Sequence, residues 1–522
     1  GGFSMKETKL PTEFLSVIKE NNGLRRYLSG LSEGKEATPR SNLYNLEGKT
    51  EVLEPDQILQ RWQDILASLE SGDTFDRNVF QFDSSQLSKW GPQGAVPPIE
   101  DILDDIVYPS FSGGRKFPAF ATPEWKAAKR EVVRQLHNAG CKGLSPVPYK
   151  RVIDDMRARD TLESNSGWPL FTRRNKPEVI AQSIEAAESG QWKTYPAIAL
   201  FRNYNQKTRL VWMFPMSANL VEGSFFQPLQ QRIMMASYPQ YVKNFYSPWR
   251  GFEEVRDLVG FTYYKDAKTI AASDFSSTDA HFKLATSMEV FDVISQCFQP
   301  RFRDALKESI RYMHEIPLVI GSETMLTGTH GVSSGSNWTN FIETVFDQIL
   351  GCYVSLKTDG QHFGLYAIGD DMSWYSNSYD EHFADTLARF GEEVGQEIKA
   401  DKTTNDPDKV KSLQRLFQRG YDRPDGKIRA VYSTTRALKS LVYPERFHKP
   451  ELWSKDMEAI RDFMILENCV DHPLFEEFCK FVAAGDPNLK VFANLSSNKQ
   501  QALLRKSKLI PGLNATYNQE KR

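Results

Sequence analysis

The chain has 522 residues, 40% of them hydrophobic, and its 65 basic and 67 acidic residues leave a formal net charge of -2. That length sustains a large buried core, in several domains or in one intertwined multi-lobed enzyme. The charge balance excludes a basic nucleic-acid coat of the histone or arm type but permits a locally basic channel. The five cysteines are odd in number and lack a CxxC spacing, which argues against a disulfide framework or structural zinc and fits a reducing compartment. No apolar leader precedes Lys9, and Gly1 to Ser4 ahead of Met5 reads as an expression scar. The most apolar central stretch, Phe341 to Leu356, is broken by Glu343 and Asp347, so no membrane span is expected.

In chain order, residues 32–50 are polar and read as loop. Pro55 and Asp56 open a helix that carries Ile58, Trp62, Ile65, Leu66 and Leu69 on one face and stops at Gly72. Thr122 caps a second helix with Pro123 at its first position; Ala128, Val132 and Leu136 keep helical spacing up to Gly140. Lys126, Lys129, Arg130 and Arg134 on that helix read as a solvated charged face. Ala197–Leu200 and Arg209–Phe214 are strand-like, and Thr269–Ser273 is a short strand running into Asp274. Phe363–Ile368 and Met372–Tyr375 flank a tight turn at Gly369-Asp370-Asp371, and Phe383, Leu387, Phe390 and Val394 mark the helix after it. Leu416–Tyr421 and Lys427–Ser433 flank Arg423-Pro424-Asp425-Gly426, a hairpin signal. The remainder is helical with a break at His472-Pro473 and a polar, basic tail from Asn498. Strands cluster centrally and helices lie at both ends, so the fold class is α+β.

Four segments carry chemistry. In Asp274-Phe-Ser-Ser-Thr-Asp279 a carboxylate stands where an apolar strand runs out, placed for oxygen ligation of a hard cation; helix capping is the plainer use of such an acid. Gly331-Val-Ser-Ser-Gly335-Ser-Asn-Trp-Thr339-Asn340 is a small-residue loop feeding a helix, which lets backbone approach a phosphate or sugar. Asp370 and Asp371 repel each other at a hairpin tip, a strain that cations relieve, and the run Leu365-Tyr-Ala-Ile is too apolar for a fully solvated turn. Lys207 and Arg209, with Arg202 upstream, put cations on a strand, where they reach a triphosphate or serve as a plain surface pair.

Taken in chain order (basic strand, Asp274–Asp279, Ser-Gly loop, Gly-Asp-Asp hairpin) and followed by an amphipathic helix leading to Lys402, the set resembles the palm motifs of RNA-virus polymerases, lettered F, A, B, C and D. The loop text GVSSGSNWTN is most similar to picobirnavirus polymerases, with those of partitiviruses next. The resemblance covers about residues 160 to 435. It implies a right-hand polymerase with an antiparallel palm sheet, enclosed by an N-terminal bridging segment. It also implies two divalent ions, magnesium with manganese as substitute, about 3.5–4 Å apart and held by Asp274, Asp370 and Asp371. Lys207 and Arg209 would steady the triphosphate, and Lys402, with Lys399 as runner-up, would protonate the leaving group. Asp279, Ser334, Gly335 and Thr339 would belong to the nucleotide site. The family's usual Asn four residues after Thr339 is Glu343 here; Asn340 is its candidate substitute, about 100° around the helix from Thr339. Ser166 and Gly167, in Ser164-Asn-Ser166-Gly167-Trp168-Pro169, fall where the template-contacting motif G belongs, and Arg419 falls in the primer-grip hairpin.

The implied layout is a fingers–thumb bridge over 1–75, fingers over 76–265 with an insertion at 297–328, palm over 266–296 and 329–434, and thumb and tail over 435–522. The tail, with Arg505, Lys506 and Lys508, reads as solvated. Implied partners are RNA template and product, ribonucleoside triphosphates and a viral capsid protein. The catalytic unit would be a monomer working in the virion interior or host cytoplasm, would replicate and transcribe a double-stranded RNA genome, and would start without a primer. Two other readings compete. A reverse transcriptase shares the palm, but Asp279 with Ser334 argues against its blocked ribose pocket. A non-catalytic RNA-binding or capsid-like protein would bind RNA without need of magnesium, and the basic arm usual in a coat protein is missing.

Overall fold

The strand-like runs Ala197–Leu200 and Arg209–Phe214 do form a strand pair, part of one of three sheets. The computed structural model describes residues 5–112, 114–237, 239–449 and 451–507; Lys508 and the rest of the tail lie outside them. Among the described residues the strands are β1 (Lys6–Lys9), β2 (Ala197–Tyr204), β3 (Lys207–Met213), β4 (Thr269–Ser276), β5 (Leu318–Val319), β6 (Thr324–Thr327), β7 (His362–Ile368), β8 (Asp371–Ser376), β9 (Glu397–Ile398), β10 (Thr404–Asp406), β11 (Lys409–Ser412), β12 (Arg415–Gln418) and β13 (Val431–Tyr432). One sheet has the order β1-β6-β5-β2-β3, so the 297–328 stretch joins it through β5 and β6. The second runs β10-β4-β8-β7, with β9 extending the end of β4, and the third is β11-β12-β13.

Helices cover the second sheet. The helix Trp338–Lys357 is buried on nearly every side, as a helix packed all round must be. Its Gly351 meets Gly364 of β7 so closely that an added Cβ would stand 3.3 Å from that backbone. The helix at residue 55 ends at Leu66 and tightens into a 3-10 turn over Ala67–Ser71; Ile65 stays 38% exposed, off the expected buried face. On the helix Pro123–Asn138, Lys129 is not solvated as read. Its ammonium lies 2.9 Å from Glu289 and 3.0 Å from Asp292, tying that helix to the neighbouring Leu284–Ile294.

The N-terminal stretch touches both ends of the molecule. Leu10 N–H donates to Glu323 O and Tyr27 Oη to Ala199 O, on the β5–β6 and β2 side. Further on, Ser41 N–H donates to Val442 O, Tyr44 Oη to Phe481 O, and Trp62 Nε1 to Thr434 Oγ1. Between them, Gly94 N–H bonds Asn203 O and Gln93 Nε2 bonds Tyr443 O, stitching the β2–β3 tip to the C-terminal helices. Asp83 is buried under the start of the helix Thr434–Val442 and accepts from Ser433 Oγ, Thr434 N and Oγ1, Thr435 N and His472 Nε2.

The hairpin read at 416–433 is present: β12 pairs antiparallel with β13, Asp422 bridges Ile428, and the turn closes over residues 423–427. A second, tighter hairpin that the sequence did not signal, β11–β12, lies one strand earlier with Leu413 and Gln414 at its tip. Residues 422–426 form a longer excursion between β12 and β13. Leu413 and Gln414 both adopt positive φ, at 49° and 65°. That two-residue geometry usually advertises itself by Asn-Gly, and its absence hid the turn.

Candidate active site

Antiparallel pairing of β4 with β8 makes Asp274 and Asp371 register partners, and directly opposed residues project from the same face of a sheet. Ser273 Oγ donates to Met372 O at 3.2 Å and accepts from Trp374 Nε1 at 3.0 Å, which locks this register. Asp370 lies in the β7–β8 turn. Gly369 makes that turn at φ 58°, and its N–H donates to Thr344 Oγ1 at 2.9 Å, so the buried helix holds the turn from behind. A side chain at Gly369 would meet Asn340 Nδ2 at 3.0 Å.

The acids crowd one another. Burial, then Asp370 and Asp274, push the Asp371 carboxyl up to about 7. Burial and Asp274 also raise Asp370, against the pull of its own backbone N–H and Arg209. Asp279 rises to about 6 by burial and the charge of Asp370. Behind the turn Glu343 is 5% exposed and Asp347 2%. Burial, with neighbouring acids second, drives both well above the carboxylate range. One oxygen of each, Glu343 Oε2 and Asp347 Oδ2, has no hydrogen-bond partner.

Such a set gains from cations. Among the described residues no three His, Cys, Asp or Glu side chains form a closed ligand cage. Magnesium does not need one: it keeps several waters and is typically held by one or two carboxylates plus substrate phosphates. Asp274, Asp370 and Asp371, all water-accessible at the cavity wall, fit that open coordination.

The cavity they face has a volume of about 2240 Å³, and Lys and Arg outnumber Asp and Glu in its wall. Lys207 and Arg209 line the cavity from β3; Arg209 lies 4.0 Å over the Tyr204 ring and donates to Tyr204 O. Arg202 is taken up by a two-pronged ion pair with Glu445, at 2.9 and 2.7 Å. Lys399 and Lys402 reach the wall because β9 pairs with the end of β4, and Lys399 is engaged by Glu397 at 3.8 Å. Asp279, Ser334 and Asn340 line the same space.

Other expected contacts are not placed there. Ser166 is 3% exposed, and its hydroxyl is spent on Gly167 O and Thr172 N. Gly167 abuts the backbone of Phe214. Both are built into the protein rather than presented to RNA. Arg419 donates to Tyr263 O, Lys268 O and Pro407 O and lies over the Tyr263 ring, so it fastens the hairpin sheet to the helix Phe252–Tyr264 and the approach to β4. Thr339 is buried and donates to Ser333 O, shaping its own loop, and Gly335 presses on Trp212 O, where a Cβ would stand 1.9 Å away. Sequence reasoning missed Lys89, Arg436, Gln414 and Thr344. The first three line the cavity from the N-terminal stretch, the helix Thr434–Val442 and the β11–β12 tip. Burial, with Arg436 and Lys411 next, lowers Lys89 to about 8. No local motif flags them; only the chain's return to the cavity does.

An acid-bearing hairpin in a cation-lined cavity, on a three-sheet α+β frame, is the layout of a right-hand nucleic-acid polymerase. The structure is similar to the crystal structure of the RNA-dependent RNA polymerase of a human picobirnavirus, with a TM-score of 0.76, 22% identity and coverage of 96% of this chain and 95% of that one. An insertion-loop deletion mutant of a human picobirnavirus polymerase matches with the same TM-score, covering 98% of that chain. The family model for viral RNA-dependent RNA polymerase matches residues 204–484. The chain belongs to that family. It is 26% identical over 501 residues to a potential RNA-dependent RNA polymerase of Human picobirnavirus, covering 89% of this chain and 85% of that protein. It is 21% identical over 256 residues to an RNA-directed RNA polymerase of Cryptosporidium parvum virus 1, covering 46% of this chain and 48% of that protein. Among the described residues no helix is long and apolar enough to cross a membrane.

Proposed function

We propose that this polymerase joins ribonucleotides by two-metal nucleotidyl transfer, starts without a primer, and replicates and transcribes a double-stranded RNA genome. The observation that carries this reading is the register pairing of Asp274 with Asp371 beside Asp370, on a face open to the cation-lined cavity. These three carboxylates would hold two divalent ions, magnesium or manganese. When bound, such ions lower the pKa of an acceptor 3′-hydroxyl and neutralise the phosphates.

The chain's own side chains do the positioning. Arg209 and Lys207 bind the triphosphate of the incoming nucleotide, which aligns its α-phosphorus for in-line attack. Lys402, without a carboxylate in ion-pair range among the described residues, is the proton donor to the departing pyrophosphate; Lys399 is held by Glu397. Asp279, Ser334 and Asn340 meet the ribose, and a site built to hydrogen-bond a 2′-hydroxyl rejects a sugar that lacks one. In this reading residues 1–75 bridge fingers and thumb, the fingers span 76–265 and 297–328, the palm 266–296 and 329–434, and the thumb begins at 435. The enzyme works as a monomeric catalytic unit with a capsid protein as neighbour, inside the virion or in host cytoplasm.

Primer-free incorporation tests the reading. Purified protein, magnesium, viral RNA and ribonucleoside triphosphates should give full-length product without primer, and deoxynucleotides should not substitute. Product that requires an added primer would overturn primer independence; efficient deoxynucleotide use would overturn the ribose assignment.

A further inference from the structure

Glu222 belongs to no polymerase motif, yet the loop that carries Ser334 is anchored on it. It lies in the helix Met216–Met235 and is 2% exposed. Its Oε1 accepts from Asn337 N–H at 2.9 Å and from Asn219 Nδ2 at 2.9 Å, and its Oε2 accepts from Ser336 Oγ. Asn219 Nδ2 also donates to Gly335 O at 3.2 Å, and Arg174 donates to Asn219 Oδ1 at 3.0 Å. Isolated buried carboxylates are costly, and this one is offset by donors that come largely from the 335–337 loop. Burial still pushes the carboxyl up to about 7 against those hydrogen bonds and Arg174.

The other side of the loop meets an open strand edge. β3 is the last strand of its sheet. Its Trp212 N–H donates to Ser334 Oγ at 3.1 Å, and Gly335 closes on Trp212 O. The loop is thus held between an unsatisfied sheet edge and a buried carboxylate, with Ser334 facing the cavity.

We propose that Glu222 is a positioning residue for nucleotide selection: by clamping Ser336 and Asn337 it fixes the loop against β3 and so sets where Ser334 meets the ribose. This rests on the reading of Ser334 as a ribose contact, and the test separates the two. Steady-state incorporation is compared for wild type, Glu222→Ala, Glu222→Gln, Ser334→Ala and the Glu222→Ala/Ser334→Ala pair, and amide exchange is followed at Trp212. Glu222→Ala should raise KM for ribonucleotides about 10-fold with kcat within about 2-fold, and lower the preference over deoxynucleotides by a similar factor. Glu222→Gln, which keeps an acceptor for Asn337, should recover part of both, and the pair should be no worse than Ser334→Ala alone. Trp212 exchange should quicken in Glu222→Ala. A variant that loses only thermal stability, with KM, preference and Trp212 exchange unchanged, overturns the proposal. If Ser334→Ala leaves preference intact, the ribose reading fails and Trp212 exchange alone decides the clamp: faster supports it, unchanged overturns it. Should Glu222→Ala not fold, Ser336→Ala takes its place with the same expectations.

Discussion

At the scale of single residues, the acids behind the Gly369-Asp370-Asp371 turn are costly to bury. Glu343 and Asp347 each bury a carboxyl with one unpartnered oxygen, on a helix otherwise apolar enough to be swallowed whole. A carboxyl raised in the folded state keeps its proton while the unfolded chain releases its own. Stability is therefore lost as pH climbs from the ordinary glutamate range toward the folded value. Glu343→Gln should stabilise the metal-free protein on the order of 1–2 kcal/mol at pH 8 and by little at pH 4.5, measured by thermal melts without divalent cations. Asp83 behaves oppositely. Burial raises it, but His472, Ser433 and Thr434 more than compensate and hold it at about 2. Its contribution is complete above the ordinary aspartate range and fades as pH falls toward 2. Asp83→Ala, which strands the start of the helix Thr434–Val442, should cost about 3 kcal/mol at pH 7 and less at pH 3, read from denaturant midpoints.

Among elements, the hairpins show what the sequence could and could not tell. β7–β8 was legible because apolar runs flank a glycine turn, and β4 because a short apolar run leads into Asp274, although the strand continues to Ser276. The β11–β12 hairpin was not, since Leu413-Gln414 carries none of the residues that usually occupy two positive-φ positions. Replacing the pair with Asn-Gly should raise stability by about 1 kcal/mol, measurable as a higher melting temperature; no change or a loss would mean that Leu413 or Gln414 makes compensating contacts. Ser166 and Arg419 make protein contacts that their sequence neighbourhood does not signal, for a related reason. Polar side chains near a motif read as ligand contacts, but whether backbone carbonyls already claim them depends on tertiary packing.

Across the whole molecule, the cavity wall is completed by segments that no motif connects. Its wall takes Lys89 and Lys35 from the N-terminal stretch, Arg202 from β2 and Glu445 from beyond the helix Thr434–Val442. The Arg202–Glu445 pair and the Gln93 bonds join them across hundreds of residues. Motif order announced the palm and the resemblance implied an N-terminal bridge; the particular side chains that complete the wall came only from long-range contacts. The proposed mechanism rests on Asp274, Asp370 and Asp371 acting together. The most direct test is ribonucleotide incorporation by an Asp370→Ala/Asp371→Ala double variant beside wild type, both checked for an unchanged thermal melt. A fall of about 1,000-fold or more at every magnesium or manganese concentration is predicted; retained incorporation by a correctly folded double variant would contradict the account.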